Sequence, residues 1–438
     1  GCTVLEAPED PFRDGYEFGG WFTEKSCTNE FIFGPDGTQV NKDMTLYAKW
    51  TEIAVEYTVV FDLNGFEGTA PDPIKVKEGS TVENEPKVPV VPDYIFIGWY
   101  TDQECRIPFV FGENGTEVVS DITLYAKWEE NIFTYVDGTG DFAGGVLVTG
   151  IKEKFLPDAA EIHIPDIIDG KPVFAICSAE GQTAEIPDYD AMAKGAFEYN
   201  QYIRKVTVGK NVKQIWFRAF RGANNLSEII FDEGSTLEII GIGAFAECRS
   251  LAEISLPGSL IAINGWSKGA FFDCVNLVSL VMEPKTTRED KVPFLSTDNN
   301  QMPFVGAPVV ITVPEEEEAD YLADPNWSKF SERINPSETA LEQPVFVKDG
   351  TVTGFTPNGM NQTDLVIASS IDGKAITAFS ADAFSNNATI QSLTFEGGDI
   401  LFNVGAFVNQ QALKTLRFAG DAPVEIKAWA FTNCNVLE

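Results

Sequence analysis

Histidine occurs once in this 438-residue sequence, as His163. A zinc site built on paired histidines is thereby excluded, and nucleophilic catalysis by a Ser–His–Asp or Cys–His arrangement has only that one residue to draw on. Basic residues are scarce as well: 31 Lys and Arg stand against 66 Asp and Glu, for a formal net charge of −35. Such a field repels nucleic acid and anionic lipid, whose phosphates need clustered Lys and Arg. No nucleic-acid partner is expected, and the acidity itself serves solubility. No run of about 18 apolar residues occurs, so this stretch encodes no transmembrane helix. No secretory leader is visible. Cys-x-x-Cys spacing and a Gly-Lys-Ser/Thr phosphate loop are both missing, and neither a metal nor a cofactor is expected. The hydrophobic content of 44% nevertheless suits a folded chain. Its length points to several domains.

What the sequence has in abundance is repetition, at two periods. Gly20-Trp21-Phe22-Thr23 returns as Gly98-Trp99-Tyr100-Thr101. Thr45-Leu46-Tyr47-Ala48-Lys49-Trp50 returns unchanged at Thr123–Trp128, again 78 positions on. Aromatic positions recur with it: Tyr16/Tyr94, Phe18/Phe96, Trp21/Trp99, Phe31/Phe109, Phe33/Phe111 and Trp50/Trp128. Small units have few residues with which to build a core, so these rings are expected to be core and not a ligand-stacking face. Alternating segments such as Thr58–Leu63, Tyr94–Tyr100 and Leu124–Trp128 predict strands divided by Gly, Pro and Asp turns. Gly1-Cys2-Thr3-Val4 aligns with Gly79-Ser80-Thr81-Val82, so the first unit lacks its opening strand and the chain reads as an excerpt of a longer protein. The same alignment makes Cys2 an ordinary repeat residue and not a lipidated cysteine.

From about residue 131 an Ala-Phe pair recurs: Ala196-Phe197, Ala219-Phe220, Ala244-Phe245 and Ala270-Phe271, then Ala383-Phe384, Ala406-Phe407 and Ala430-Phe431. Spacings run from 23 to 26 within each group. A short β segment follows each pair, with Val206 and Val208, Ile229 and Phe231, and Ile254 and Leu256 on one face. One such unit cannot bury that face alone, so stacking into a continuous strand ladder is predicted. Phe133–Gly150 and Phe346–Phe355 read as leaders of two sub-arrays. Between them, Val313-Pro314 followed by Glu315–Glu318 suits a helix N-terminus with Pro at its first position and carboxylates in its first turn. Those glutamates are read as a cap and not as a calcium site. Residues Pro284–Val313 depart from the period and read as an irregular insertion.

The 78-residue unit resembles the B repeat of internalin-type bacterial surface proteins, through its Val-x-Phe-Asp-x-Asn-Gly strand, Gly-Trp-Tyr-Thr block and closing Thr-Leu-Tyr-Ala-x-Trp. The 24-residue unit resembles the leucine-rich repeat of BspA-like surface proteins, with its Ala-Phe-x-x-Cys/Asn-x-x-Leu-x-x-Ile-x-Leu/Ile-Pro pattern. Together they imply a mainly β fold with short helices: two β-grasp-like B-repeat modules, then a leucine-rich repeat solenoid in two sub-arrays. The expected boundaries are 1–52 and 53–130 for the B repeats, and 131–338 and 339–438 for the sub-arrays. The resemblance implies a bacterial protein, secreted or cell-surface attached, without enzymatic activity, acting as an adhesin toward host or matrix protein. Binding of polysaccharide or cell wall, and a passive surface spacer, are the alternatives.

Candidate chemistry is thin beside this. His163 lies between inward-facing Ile162 and Ile164, and Val366 fills its slot in the second sub-array, so no catalytic role is expected of it. A carboxylate pair for glycoside hydrolysis stays open, because so many acidic residues place some pair suitably by chance. Gly241-x-Gly243-x-x-Ala246 falls on the repeat's own Gly-Ala-Phe slot, which explains it without a dinucleotide. Of seven cysteines, Cys27 and Cys105 share one repeat slot. Cys248, Cys274 and Cys434 share another, three residues after a Phe. Free buried thiols are expected there, with Cys2–Cys27 and Cys248–Cys274 as the alternative pairings. Binding is placed on the outward residues of the stacked strands, among them Thr207, Ile230, Ser255, Val281, Thr394 and Arg417. Trp216, Trp266 and Trp429, which neither the B repeats nor the cap explains, could stack on a sugar or anchor a protein.

Overall fold

A computed structural model describes residues 2–87, 90–178, 194–264, 269–285, 292–296, 303–304, 306–371, 373–381 and 383–438. The architecture is mainly β with a few short helices, and it falls into two compact units, Gly1–Glu129 and Glu130–Glu438.

In the first unit the opening repeat contributes an antiparallel pair, Tyr16–Phe22 with Tyr47–Glu52. The second repeat forms a four-stranded sheet. Its order is Ile74–Lys77, Glu56–Asp62, Ile122–Glu130, Tyr94–Tyr100, and the two central strands are parallel. The shared aromatic positions fill its core, as the size of the unit demands. Trp99 is 1% exposed and meets Phe61 edge-on at 4.8 Å. Trp128 is half-buried and donates its indole N–H to the Leu63 carbonyl at 3.1 Å. The 78-residue period reaches into the loops. Glu24 accepts from the backbone N–H groups of Thr28 and Asn29 at 2.8 and 2.6 Å. Asp102, its equivalent, accepts from those of Arg106 and Ile107 at 3.0 and 2.8 Å. The cysteines of this turn, Cys27 and Cys105, both hold the left-handed conformation, with φ of 51° and 53°.

The second unit opens with the hairpin Phe133–Asp137/Val146–Ile151, and its second sub-array opens the same way with Val345–Lys348/Thr351–Phe355. Both predicted leaders are therefore hairpins. Beyond them the chain stacks in two parallel ladders. The longer strands pair as Glu161–Ile164, Lys205–Val208 and Glu228–Phe231, then as Glu253–Leu256, Ser279–Met282 and Val310–Thr312. In the second sub-array they pair as Asp364–Ile367, Ser392–Phe395 and Thr415–Phe418. The two-residue strands Gln214–Ile215, Ile239–Ile240, Ala262–Ile263 and Phe294–Leu295 form the other ladder, which continues the opening hairpin. Val206, Val208, Leu256 and Leu280 have no exposed surface, so the alternation predicted from period two is the packing observed.

Between the ladders runs a spine of rings. Phe197, Phe220, Phe245, Phe271 and Phe304 stack with centroids 5.1, 5.5, 5.5 and 5.9 Å apart. The alanine of each Ala-Phe pair brings the backbones close enough for rungs. Phe197 and Phe220 donate their N–H groups to the Ala219 and Ala244 carbonyls, each at 2.7 Å, and Phe245 to that of Ala270 at 2.9 Å. The residue two after each Phe is left-handed throughout: Tyr199, Gly222, Glu247, Asp273, Gly306, Asn386, Asn409 and Asn433.

Three expectations need correction. The longer ladder is not continuous, since Glu228–Phe231 and Glu253–Leu256 belong to separate three-stranded sheets. The break falls where the segment between strand and next apolar position lengthens, from Val208–Val212 to Phe231–Leu237. Pro284–Val313 is not an irregular insertion. Its described residues supply Phe294–Leu295 to one ladder, Val310–Thr312 to the other, and Phe304 to the spine. Phe271 donates its N–H to the Pro303 carbonyl at 3.0 Å, so Pro303 stands in the alanine slot. It is a repeat of unusual length. Finally, Pro314 is not the first helical residue. It caps a 3-10 turn, Glu315–Glu317, with ψ of 138°, and the α-helix runs Glu318–Ala323. Glu317 is buried and accepts from the Lys285 backbone N–H at 2.9 Å, which ties the cap to the array.

Candidate functional site

Parallel pairing in register turns the outward residues of the longer strands into rows. His163, Thr207 and Ile230 form one row, beside a second of Glu161, Lys205 and Glu228. Ser255, Val281 and Thr312 form another, beside Glu253, Ser279 and Val310. In the second sub-array Val366, Thr394 and Arg417 align, beside Asp364, Ser392 and Thr415. The predicted residues thus meet in pairs: Thr207 with Ile230, Ser255 with Val281, Thr394 with Arg417. Sequence reasoning missed Thr312, because its strand lay in the supposed insertion. The signal was present, since Val309-x-Ile311-x-Val313-Pro314 has the form of Ala252-x-Ile254-x-Leu256-Pro257.

Local contacts fix these side chains. Lys205 pairs with Glu228 at 3.0 Å, and Ser255 donates to Glu283 at 3.0 Å. His163 lies 3.0 Å from the Asp232 carboxylate, and both side chains are substantially exposed. Exposed pairs of this kind are worth at most about 1 kcal/mol, so they orient the surface and add little to stability. Ile230 is 38% exposed, an aliphatic side chain set among polar ones.

Residues 2–49 and 57–127 match the Listeria-Bacteroides repeat domain, and residues 171–301 and 361–438 match the BspA type leucine rich repeat region in six copies. The chain carries Listeria–Bacteroides repeats and a BspA-type leucine-rich repeat region. Among curated proteins, a putative Gly-rich membrane protein of Evansella cellulosilytica is 37% identical over 166 residues, which are 38% of this chain and 18% of that protein. Internalin H of Listeria monocytogenes is 33% identical over 128 residues, 29% of this chain and 22% of its own length. The chain therefore spans about a fifth of the length of these relatives. Among solved structures, the pneumococcal vaccine antigen PcpA is 18% identical with a TM-score of 0.37, over 71% of this chain and 80% of that one. A leucine rich cell surface protein of Faecalibacterium prausnitzii is 15% identical with a TM-score of 0.33, over 71% of this chain and 86% of that one.

Within the leucine-rich repeat region the tryptophans separate. Trp216 is half-buried and packs against Leu147, Ala175 and Cys177, which gives its ring a core role. Trp266 lies outside the described residues. Trp429 is 75% exposed with φ of 64°, in the slot two before Phe431 that Gly243 and Gly405 fill in other repeats. The cysteines are free. Those of the recurrent slot are more than small hydrophobes: Cys248, Cys274 and Cys434 donate S–H to the Phe carbonyl of the preceding repeat at 3.1, 3.0 and 2.8 Å. Gln410 occupies the same slot and donates its amide to the Phe384 carbonyl. Buried charge here is also structural. Glu198, its side chain 2% exposed, holds Arg218 at 2.6 Å and Arg221 at 3.4 Å, and Arg221 reaches on to Glu247 at 3.1 Å. These residues border the ring spine, where a pair left incomplete would be costly. Among the described residues no group of three or more His, Cys, Asp or Glu is placed to hold a metal, and no helix is long and apolar enough to cross a membrane.

Proposed function

We propose that the chain is part of a non-enzymatic, extracellular or cell-surface binding protein, an adhesin that presents the outward rows of its longer strands to a host or matrix protein. The observation that carries this reading is the register itself. It sets small, polar and aliphatic side chains side by side over successive repeats, a broad surface of the kind stacked-repeat proteins use to bind. Likeness to Internalin H supports the surface setting. The test is binding of the whole chain to a panel of extracellular matrix proteins, run beside a glycan array. Ile230→Lys combined with Val281→Lys should abolish saturable protein binding while leaving the thermal midpoint unchanged. Unchanged binding sinks the assignment of this face, and no saturable binding to either panel favours a passive spacer.

Glycan binding is the second reading, and Trp429 favours it. A bulky residue in the left-handed region is conformationally strained, and this one displays most of its ring. Trp429→Ala should then remove glycan-array signal and leave protein capture intact.

A further inference from the structure

Four Asn-Gly pairs occur in the sequence: Asn64-Gly65, Asn114-Gly115, Asn264-Gly265 and Asn358-Gly359. In such a pair the backbone nitrogen of the glycine is open to attack on the asparagine carboxamide, because no Cβ on the second residue hinders the approach. The fold treats the four pairs differently.

Asn64 is half-buried and its amide is engaged. Nδ2 donates to the Gln103 carbonyl at 3.0 Å and to the Cys105 sulfur at 3.4 Å. Asn358 donates through Nδ2 to the Glu342 carbonyl at 2.8 Å. Its glycine is buried and donates its N–H to the Thr356 hydroxyl at 3.2 Å. The packing there is tight, since a Cβ on Gly359 would stand 1.8 Å from the Pro344 carbonyl oxygen. Asn264 is half-buried with its N–H on the Ile240 carbonyl at 2.8 Å, and the glycine after it lies outside the described residues. Asn114 differs. It is exposed, at the tip of the turn Gly112–Gly115, and among the described residues its carboxamide has no hydrogen-bond partner. The one restraint is on the attacking nitrogen, as Gly115 donates its N–H to the Gly112 carbonyl at 3.0 Å.

The first repeat shows that an acid fits this place. Asp36 fills the slot of Asn114, 78 positions earlier, and holds the same turn. Gly37 donates its N–H to the Gly34 carbonyl at 3.0 Å, as Gly115 does to Gly112. The N–H groups of Thr38 and Thr116 go to the Ile32 and Val110 carbonyls, each at 2.8 Å. In return, the N–H groups of Ile32 and Val110 go to the Thr38 and Thr116 hydroxyls at 2.9 and 3.0 Å.

We propose that Asn114 is a site of spontaneous deamidation, which gives this loop of the second repeat the chemistry of the first. The Gly115 nitrogen bonds to the Asn114 Cγ. The amide nitrogen leaves as ammonia, taking up the Gly115 proton, and water then opens the succinimide to aspartate or isoaspartate. One negative charge is added, and no oxidant or cofactor is consumed. Aspartate keeps the turn of the first repeat, whereas isoaspartate routes the main chain through an extra carbon.

The test incubates the whole chain at mildly alkaline pH and follows each asparagine by peptide mass mapping. Asn114 should convert first, about fivefold faster than Asn64, which must release two hydrogen bonds where the Asn114 pair releases one. In urea the four rates should converge, because the fold no longer separates them. Asn114→Asp should keep the thermal midpoint of the unsubstituted chain. Earlier conversion at Asn64, Asn264 or Asn358 overturns the proposal. So does a rank order that survives in urea, which would trace to neighbouring sequence and not to the fold. A lowered midpoint in Asn114→Asp would overturn the equivalence with the turn of Asp36.

Discussion

Replacing Phe245 by leucine should separate ring stacking from simple burial. Phe245 has no exposed surface and lies between Phe220 and Phe271, at 5.5 Å from each and within 4° and 11° of parallel. Leucine keeps most of the apolar volume and removes both stacks. Aromatic pairs add about 0.5–1.5 kcal/mol each beyond the area they bury, so the substitution should cost about 1–3 kcal/mol. Phe245→Ala, which also opens a cavity, should cost about 3–5 kcal/mol. Phe197 supplies the internal control. It is almost as buried, at 2% exposed, but among the described residues it stacks only on Phe220. Phe197→Leu should therefore cost about half as much as Phe245→Leu, roughly 0.5–1.5 kcal/mol. The assay is urea unfolding followed by circular dichroism, read as a shift in midpoint at constant slope. Equal costs at the two positions would refute the stacking argument and return the spine to ordinary burial.

Two further outcomes follow from buried ionisable groups. Burial raises the carboxyl of Asp273 above the usual aspartate range, against the lowering effect of its 2.8 Å ion pair with Arg249. A raised folded-state pKa makes its contribution to stability complete below the unfolded value, and that contribution is lost as pH rises through the folded one. Asp273→Asn should thus gain in thermal midpoint relative to the unsubstituted chain as pH rises above about 4, and a widening deficit over that range would contradict the assignment. For the thiols, burial pushes Cys177 up to about 12 and raises Cys248 and Cys274 well above the ordinary thiol range. Since the thiolate is the reactive form, these three should stay silent to Ellman's reagent at neutral pH until denaturant is added, while exposed Cys2 reacts at once. Rapid reaction of all seven in the native chain would show that the spine opens readily.

Much of this fold was legible because one packing demand recurs. The Ala-Phe pair marks the place where backbones approach and a ring enters, and Ala219, Ala244, Phe220 and Phe245 are all fully buried there. Period two along Lys205–Val208 and Glu253–Leu256 separated inward from outward residues correctly. Recognition failed where chemistry changed and geometry did not. Pro303 serves for alanine because the slot asks for a carbonyl and little bulk, and proline supplies both. A second mark of the repeat was present in Gly306, two residues after Phe304. That slot is left-handed in every repeat, and glycine, asparagine and aspartate tolerate it. The candidate rows were legible as a set of outward residues. Their pairing was not, because register depends on turn lengths that periodicity does not report.

The join between sub-arrays was not legible at all. Glu332 and Arg333 have no periodic counterparts, and their contacts reach Ala307 on one side and Thr353 on the other. In a stacked array each interface repeats the last, so its polar groups are satisfied by the same partners at every step. Where the stacking geometry changes, Arg333 is buried with its Nε–H unpaired and a cleft opens beside the rings. Gly306 lies at this join. With φ of 75° it continues the left-handed row between Asp273 and Asn386, and a Cβ there would make only ordinary contacts with both. The Asn409 amide then donates to Asn386, and that of Asn433 to Asn409, both at 2.8 Å. One side of the array is thus carried across the join while the ring spine is interrupted.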